Sequence, residues 1–236
     1  MIGLSIDIET SGLDILQSSI IEIGVVQWDF IGNKPLNMFS KLVRHGKNEQ
    51  NFSSEIEKIT GIANSDLNHF GYNLAEVLFE VKELIKYSDF LCGHNAILFD
   101  REILYRLFLN QINYRLECHW IDTMFDLETN DEFGSRKLRD LIKIFDIPSF
   151  LDHRAFFDAL SVILLISKTG FEQCYKNSLS NLIRISIELE YENREQAKRK
   201  GFFWNKNLKC WEKIIRSHKK SGYMMSNLKE EIIYFP

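Results

Sequence analysis

The stretch "SIDIETSGLD", residues 5–14, decides how the fold begins. From Ile2 to Glu9, apolar residues alternate with small or acidic ones, which is the two-residue period of a β-strand. Asp7 and Glu9 therefore share one face of that strand. Two like charges at this spacing repel each other, so they must stay hydrated or bind a counter-ion. The pair alone does not distinguish a solvated outer face from a cation site.

Strand and helix patterns after this stretch predict a mixed sheet. The segments "SSIIEIGVVQW" (18–28) and "NMFSKLVR" (37–44) are typical of two further strands, and their short connections indicate an antiparallel meander. An apolar helical stripe then runs through residues 73–87, and in "DFLCGHN" (89–95) a short buried strand follows that ends at Gly93. A crossover helix between two strands places the second strand parallel to its neighbour.

The same patterns predict how the chain is organised. Over residues 1–168 we expect one α/β domain, an antiparallel meander plus parallel strands flanked by helices. Residues 169–181 have weak linker character. A clean alternation of apolar and polar residues follows, then a short basic helix and a hairpin near Asn205. Residues 182–236 are therefore predicted as a small β-α-β-β unit, called here the C-terminal unit.

Composition places the chain among ordinary globular proteins. It has 236 residues, of which 45% are hydrophobic and 26% charged, enough for one sizeable core. The strand pattern starts without a positively charged leader, and no run approaches the roughly 18 apolar residues that a membrane span needs. We therefore expect a cytoplasmic protein without a membrane partner.

Charge is distributed unevenly along the chain. The net charge is −4, but residues 194–220 hold ten basic side chains against two acidic ones. The C-terminal unit is therefore basic, whereas the rest of the chain is acidic.

The four cysteines show no pair spacing, which favours reduced thiols over disulfides. Cys92 with His94, and Cys118 with His119, could form a zinc site, but neither spacing matches a known ligand pattern. The favoured interpretation is that these side chains lie at the ends of neighbouring strands.

Two later segments add to the acidic pair. In "GHNAILFD", Asp100 falls at the start of a helix just after a strand, where binding residues of mixed sheets collect. In "HRAFFDAL", His153 and Asp158 are five residues apart, so on one helix they would lie about 140° from each other. We therefore place Asp158 inward on the helix and His153 in the loop before it.

Four acids from separate elements and one histidine suit metal-assisted hydrolysis. Two divalent ions held by carboxylates can clamp the attacking and leaving oxygens of an in-line phosphoryl displacement. A histidine with a pKa near neutrality can take the proton of the attacking water. The set therefore predicts phosphodiester hydrolysis.

The three segments, in this order and at these separations, resemble the exonuclease motifs of the DEDDh family of 3′-to-5′ exonucleases. "DIETSGLD" is similar to the first motif, "HNAILFD" to the second and "HRAFFDA" to the third. The intervening "ITGI" (59–62) also resembles an element of this family. The resemblance covers residues 1 to about 168.

The resemblance implies a ribonuclease-H-like fold and a set of site residues. It implies two Mg²⁺ or Mn²⁺ ions bound through Asp7, Glu9, Asp100 and Asp158, with His153 as the general base. It further implies that the terminal nucleotide contacts Thr10, Gly12, Leu13, Ile62, His94, Asn95 and Phe99.

The C-terminal unit offers a second nucleic-acid signal, since "REQAKRKGFFWNKNLKCWEK" resembles a small module appended to nucleic-acid-processing proteins. Its basic and aromatic side chains could neutralise phosphates and stack unpaired bases. The candidates are Lys198, Arg199, Lys200, Trp204 and Trp211. Aromatic residues that form the core of a small β unit, with basic residues solvating its exterior, are the alternative.

We therefore expect a metal-dependent 3′-to-5′ exonuclease that releases nucleoside 5′-monophosphates from single-stranded DNA, in proofreading or repair and in a polymerase or repair complex. An exoribonuclease that trims RNA 3′ ends is the nearest alternative. A non-catalytic nucleic-acid-binding or polymerase-associated protein is the alternative of another class.

Overall fold

The computed structural model describes residues 1–44, 52–128, 135–148, 150–151, 153–189, 194–223 and 228–236. Five strands form the main sheet in the order β3-β2-β1-β4-β5: β1 (Ile2–Thr10), β2 (Ile20–Asp29), β3 (Lys34–Leu42), β4 (Phe90–Gly93) and β5 (Trp120–Asp122). The first three strands pair antiparallel, whereas β4 and β5 add in parallel. The predicted mixed sheet with its antiparallel meander is confirmed.

Helices cover both faces of this sheet. They are α1 (Ser54–Thr60), α2 (Asn64–Phe70), α3 (Leu74–Lys86), α4 (Asp100–Ile112), α5 (Thr123–Asp126), α6 (Leu138–Ile144), α7 (Ala155–Thr169) and α8 (Phe171–Ser178). One face packs against α3 and α4 and the other against α6 and α7, so two apolar clusters enclose the sheet. Within the described residues, no helix is long and apolar enough to cross a membrane.

Strand β1 lies at the centre of the main sheet, as its alternation predicts. Leu4, Ile6 and Ile8 point into the cluster under α3 and α4 and are at most 6% exposed. Asp7 and Glu9 lie on the other face and are half-buried. The pairing with β2 shifts its register between Glu9 and Thr10, and such irregularities commonly bend a strand beside a functional site.

Gly24 allows α7 to approach the acidic face of the sheet. It pairs with Asp7 across β1 and β2. A Cβ at Gly24 would lie 2.2 Å from the carbonyl carbon of Ala155, the first residue of α7. Any side chain here would therefore push the start of the helix, and Asp158 with it, away from β1.

The segment predicted as a linker over 169–181 instead contains helix α8. Cys174 on this helix is 1% exposed and packs in the cluster under α7, while Phe171 stacks on Phe30. These apolar side chains bury the segment, although its glycine, asparagine and serine residues indicated a loop.

The C-terminal unit forms a second, antiparallel sheet in the order β7-β8-β6-β9. Its elements are β6 (Leu182–Ile187), α9 (Arg194–Arg199), β7 (Phe203–Asn205), β8 (Cys210–Arg216), a 3-10 helix (Ser217–Tyr223) and β9 (Lys229–Tyr234). The last strand extends the predicted β-α-β-β order. The division of the chain into two domains stays a prediction.

A buried ion pair joins the C-terminal sheet to α5, the helix that follows the last strand of the main sheet. Arg216 on β8 donates to both carboxylate oxygens of Asp126, at 2.6 and 2.8 Å, and both side chains are fully buried. Leu182 and Tyr234 of the C-terminal sheet also belong to the main apolar cluster. The C-terminal unit is thus packed firmly against the main sheet.

Candidate active site

The carboxylates of the three predicted motifs meet at the carboxyl end of β1. Asp100, at the start of α4, accepts the backbone N–H of Ile8 at 3.1 Å. Because Ile8 lies between Asp7 and Glu9 on β1, this hydrogen bond holds Asp100 beside those two acids. Asp158 reaches the same site from the first turn of α7. The structure therefore brings together four acids that come from three separate elements.

These acids interact strongly enough to change one another's protonation. Burial, followed by the charges of Asp100, Asp158 and Glu9, raises the pKa of Asp7 well above its usual value. Burial and the neighbouring Asp158 and Glu22 raise the pKa of Glu9 to about 8. Burial also raises the pKa of Asp100 to about 7, although the hydrogen bond from Ile8 opposes this. The site concentrates negative charge in a region of low dielectric constant.

His153 lies over this cluster from the loop before α7, as its spacing predicts. Its side chain is exposed, and its backbone adopts φ +58°. One ligand-type atom each from His153, Glu9 and Asp158 lies within 4.8 Å of the other two. The imidazole is therefore close enough to take part in chemistry at the carboxylates.

Glu22 and Arg154 hold the loop that carries His153. Arg154 donates to both carboxylate oxygens of Glu22, at 2.8 and 3.1 Å, and the backbone N–H of Ala155 donates to the same carboxylate at 3.1 Å. Glu22 is 1% exposed, and these hydrogen bonds lower its pKa despite its burial. Because Glu22 lies opposite Glu9 in the sheet, the clamp fixes the start of α7 directly beside the site.

This clamp was missed by the sequence analysis. A single acid in the apolar strand "IIEIGVV" and a basic residue directly after the candidate histidine were its only signals. Neither indicates a partner 132 positions away in the sequence.

The loop between β4 and α4 is held by a carboxylate of β5. Asp122 accepts the backbone N–H groups of Asn95 and Ile97, at 2.8 and 3.0 Å. Asn95 has φ +58°, a conformation that asparagine tolerates better than most residues. His94 bonds Thr123 through Nδ1 at 2.9 Å, and burial lowers its pKa to about 4. His94 thus has a structural partner, whereas Asn95 is half-buried at the edge of the site.

The other predicted substrate contacts differ in accessibility. Leu13 is 87% exposed, and Thr10 bonds the Gly12 carbonyl through its hydroxyl, which shapes the turn after β1. Phe99 is half-buried against the main cluster. Ile62 is only 2% exposed and packs in a small cluster with Leu67, so the prediction that it lies against a base is not supported.

The predicted nucleic-acid contacts of the C-terminal unit also differ in accessibility. Lys198 and Arg199 are exposed on α9, and Lys200 follows them. Trp204 is 45% exposed, whereas Trp211 is 8% exposed and belongs to the core of the unit. For Trp211 the alternative, an aromatic residue that builds a small core, is therefore correct.

The cysteine and histidine alternative has no support in the described residues. All four cysteines are free thiols. Burial raises the pKa of Cys92 to about 12, and His119 bonds Ser178 rather than a thiol. Among the described residues, the side chains whose ligand atoms lie close enough together to share a metal ion are Glu9, His153 and Asp158.

The donors at the carboxylate cluster fit a hard divalent cation. Carboxylate oxygens are the ligands that Mg²⁺ and Mn²⁺ prefer. The mutual repulsion that raises the pKa of Asp7 and Glu9 would be relieved by positive charge bound among them. The chemistry and the electrostatics of the site therefore both favour metal binding.

The chain is similar to proteins of a known family. The family model described as Exonuclease, of the RNase T type, matches residues 4–166. No curated protein sequence matches the chain.

The structure is similar to E. coli exonuclease I. The complex with a dT13 oligonucleotide has a TM-score of 0.59 and 15% identity over 78% of this chain and 48% of that one. The zinc-bound complex with single-stranded DNA has a TM-score of 0.61 and 14% identity over 84% and 50%. The product-bound structure has a TM-score of 0.58 and 16% identity over 78% and 51%.

The chain spans about half the length of exonuclease I, and this likeness shows a common ribonuclease-H-like fold. The matched family model includes all three segments that carry the acids and His153. The chain therefore belongs to the RNase T family of DEDDh-type 3′-to-5′ exonucleases.

Proposed function

We propose that this protein is a metal-dependent exonuclease that removes nucleoside 5′-monophosphates from the 3′ end of single-stranded DNA. The observation that carries the proposal is the cluster of Asp7, Glu9, Asp100 and Asp158 with His153 over it. A cluster of acids from separate elements, in which no lysine or arginine of the described chain forms an ion pair with Asp7, Glu9 or Asp100, is typical of a site that binds cations.

The four carboxylates are proposed to hold two ions, Mg²⁺ or Mn²⁺. When bound, such ions offset the charge that develops on the attacking and leaving oxygens of a phosphodiester. A ring nitrogen of His153 accepts the proton of the attacking water, whose oxygen forms the new bond to phosphorus. The bond between phosphorus and the 3′ oxygen breaks, and this leaves a 5′-monophosphate and a shortened strand with a free 3′ hydroxyl.

Glu22 and Arg154 have an indirect part in this mechanism. They hold the backbone directly after His153, so that the imidazole stays over Glu9 and Asp158. A loop residue at φ +58° needs such support, because this conformation is costly for a residue with a Cβ.

DNA is proposed over RNA because the E. coli exonuclease I structures hold DNA oligonucleotides. RNA trimming is the alternative within the same chemistry, and both substrates can be tested together.

The test is digestion of 5′-labelled DNA and RNA strands of one sequence with Mg²⁺, Mn²⁺ or a chelator, for the wild type and His153→Ala. We expect stepwise shortening from the 3′ end that needs metal, with 5′-monophosphates as products. The variant should be slower by about 10²–10⁴-fold. Equal activity in chelator, or no activity on either strand, would contradict the proposal, and faster digestion of RNA would reverse its substrate.

A further inference from the structure

A cleft of about 1050 Å³ lies between the main sheet and the C-terminal sheet. Its volume is at the upper end of ordinary ligand pockets. One wall is formed by the loop after β4, by α5 and by the segment before α6, and the other by β7, β8 and the 3-10 helix. Its lining side chains include Asn95, Phe125, Arg136, Phe203 and Lys219.

The cleft begins at the edge of the sheet where the catalytic carboxylates lie. Asn95 lines it and lies two residues after the end of β4, five residues before Asp100. Because β1 and β4 are parallel, their carboxyl ends meet at this edge. A strand whose end lies at the carboxylates can therefore continue into the cleft past Asn95.

Positive charge predominates along the cleft. Arg136 and Lys219 line it, while Glu128 is the acidic residue among its lining side chains. The Lys213 ammonium group instead lies on the face of β8 opposite to Phe203, where it donates to the Lys200 carbonyl at 2.7 Å and to the Tyr223 hydroxyl at 2.6 Å. The Lys219 ammonium group donates to the carbonyl of Phe125 at 3.0 Å and forms no ion pair within the described ranges. Burial, and then the charge of Arg136, lowers the pKa of Lys219. The crowding of these cations favours a polyanion as occupant.

An aromatic side chain faces the same cleft. Phe203 on β7 lines it and is 52% exposed. The next residue, Trp204, points to the opposite face of the strand, where it packs edge-on against Trp211. An exposed ring beside a row of cations is how proteins hold single strands without reading their sequence.

We propose that this cleft holds the single-stranded segment on the 5′ side of the nucleotide being removed, with a phosphate near Lys219 and a base stacked on Phe203. This inference rests on the proposed function and deepens it. The inference assigns strand binding to the cleft rather than to the predicted contacts Lys198, Arg199 and Trp204, which do not line it.

The test is binding of a labelled DNA strand of about twelve nucleotides to the full chain in chelator, which prevents digestion. The variants are Phe203→Ala and Lys219→Gln. Trp204→Ala is the matched aromatic control, because it is similarly exposed on the same strand, and Arg199→Gln is the matched basic control.

We expect Phe203→Ala to raise the Kd about tenfold, since stacking of one base typically has this effect. Lys219→Gln should reduce the slope of log K against log salt by about 0.7. Both controls should bind like the wild type. An unchanged Kd in the cleft variants, or an equal loss in the controls, would overturn the proposal.

Two further measurements separate this inference from the proposed function. Thermal unfolding checks that each variant is folded, and Phe203→Ala removes a half-exposed ring, so it keeps the test valid if Lys219→Gln unfolds. Hydrolysis of the p-nitrophenyl ester of thymidine 5′-monophosphate needs no cleft and should be equal in all variants. Absence of ester hydrolysis in the wild type with metal contradicts the function, whereas strand binding in chelator is scored independently.

Discussion

Two acidic regions lie just beyond the ends of parallel strands, and they differ in whether a basic side chain pairs with the buried acid. At the end of β1, no lysine or arginine of the described chain forms an ion pair with Asp7, Glu9 or Asp100, and burial raises the pKa of all three. After β5, the buried Asp126 is matched by Arg216. The difference teaches that burial alone does not mark a functional acid. What distinguishes the site is a cluster of such acids from separate elements without a protein counter-charge, since Asp122 is also buried and forms no ion pair within the described residues but only holds a loop through backbone N–H groups.

The largest expected effect is on catalysis at the first region. Asp7→Asn should reduce hydrolysis of single-stranded DNA by about a thousand-fold or more, because a metal-organised site contributes several kcal/mol to the rate. Asp14→Asn is the matched control, since Asp14 is an exposed acid in the turn after β1. Equal rates for the two variants in Mg²⁺ or Mn²⁺ would contradict the role of Asp7.

The second region should respond through stability. Arg216→Met leaves Asp126 as an uncompensated buried charge, so we expect a loss of about 3–5 kcal/mol in the free energy of unfolding. Lys229→Met removes a cation from an exposed pair with Glu188 and should change the free energy of unfolding far less. Denaturant unfolding of both variants measures the contrast. A similar loss in each would mean that the buried pair is not special.

Glu22 shares one feature with each region, because it faces Glu9 at the first region but is paired with Arg154, as Asp126 is with Arg216. Glu22→Gln should lower the free energy of unfolding by about 1–3 kcal/mol, since it weakens a buried charged hydrogen bond. It should also lower kcat more than it raises KM, because His153 loses its support. Glu80→Gln, which changes an exposed partner of Lys41, is the control and should leave both constants unaltered.

The smallest expected effect is the pH dependence of the metal-free protein. Glu9 and Asp100 have pKa values of about 8 and about 7 in the folded state, above their usual values of 4.5 and 3.8. The folded state therefore binds more protons than the unfolded state between about pH 4 and 8, so stability falls as pH rises through this window.

Melting temperatures in chelator at pH 5.5 and 8 measure this dependence, with Asp7→Asn as the comparison. Removing the Asp7 charge relieves repulsion, so the variant should lose less stability than the wild type over the same interval. Each kcal/mol corresponds to about 2–4 °C for a chain of this size. A wild type that becomes more stable toward pH 8 in chelator would contradict the raised pKa values.

The local parts of the fold and site could be predicted because they depend on neighbouring residues. The alternation around Ile6 and Ile8 determines which face of β1 is buried, and so places Asp7 and Glu9 together. The five-residue spacing of His153 and Asp158 likewise places one in the loop and the other on α7. Ile62 and Trp211 could not be assigned in this way, since their burial depends on distant partners.

The sequence by itself therefore determined the strand period, the three acidic motifs and the family that they indicate, because each is a pattern within a few adjacent residues. Only the tertiary structure decided that Glu22 clamps Arg154, that Arg216 neutralises Asp126, and that Phe203 rather than Trp204 faces the cleft. These pairings join residues up to 132 positions apart. Their geometry follows from the packing of helices and sheets, for which no local pattern in the chain provides a signal.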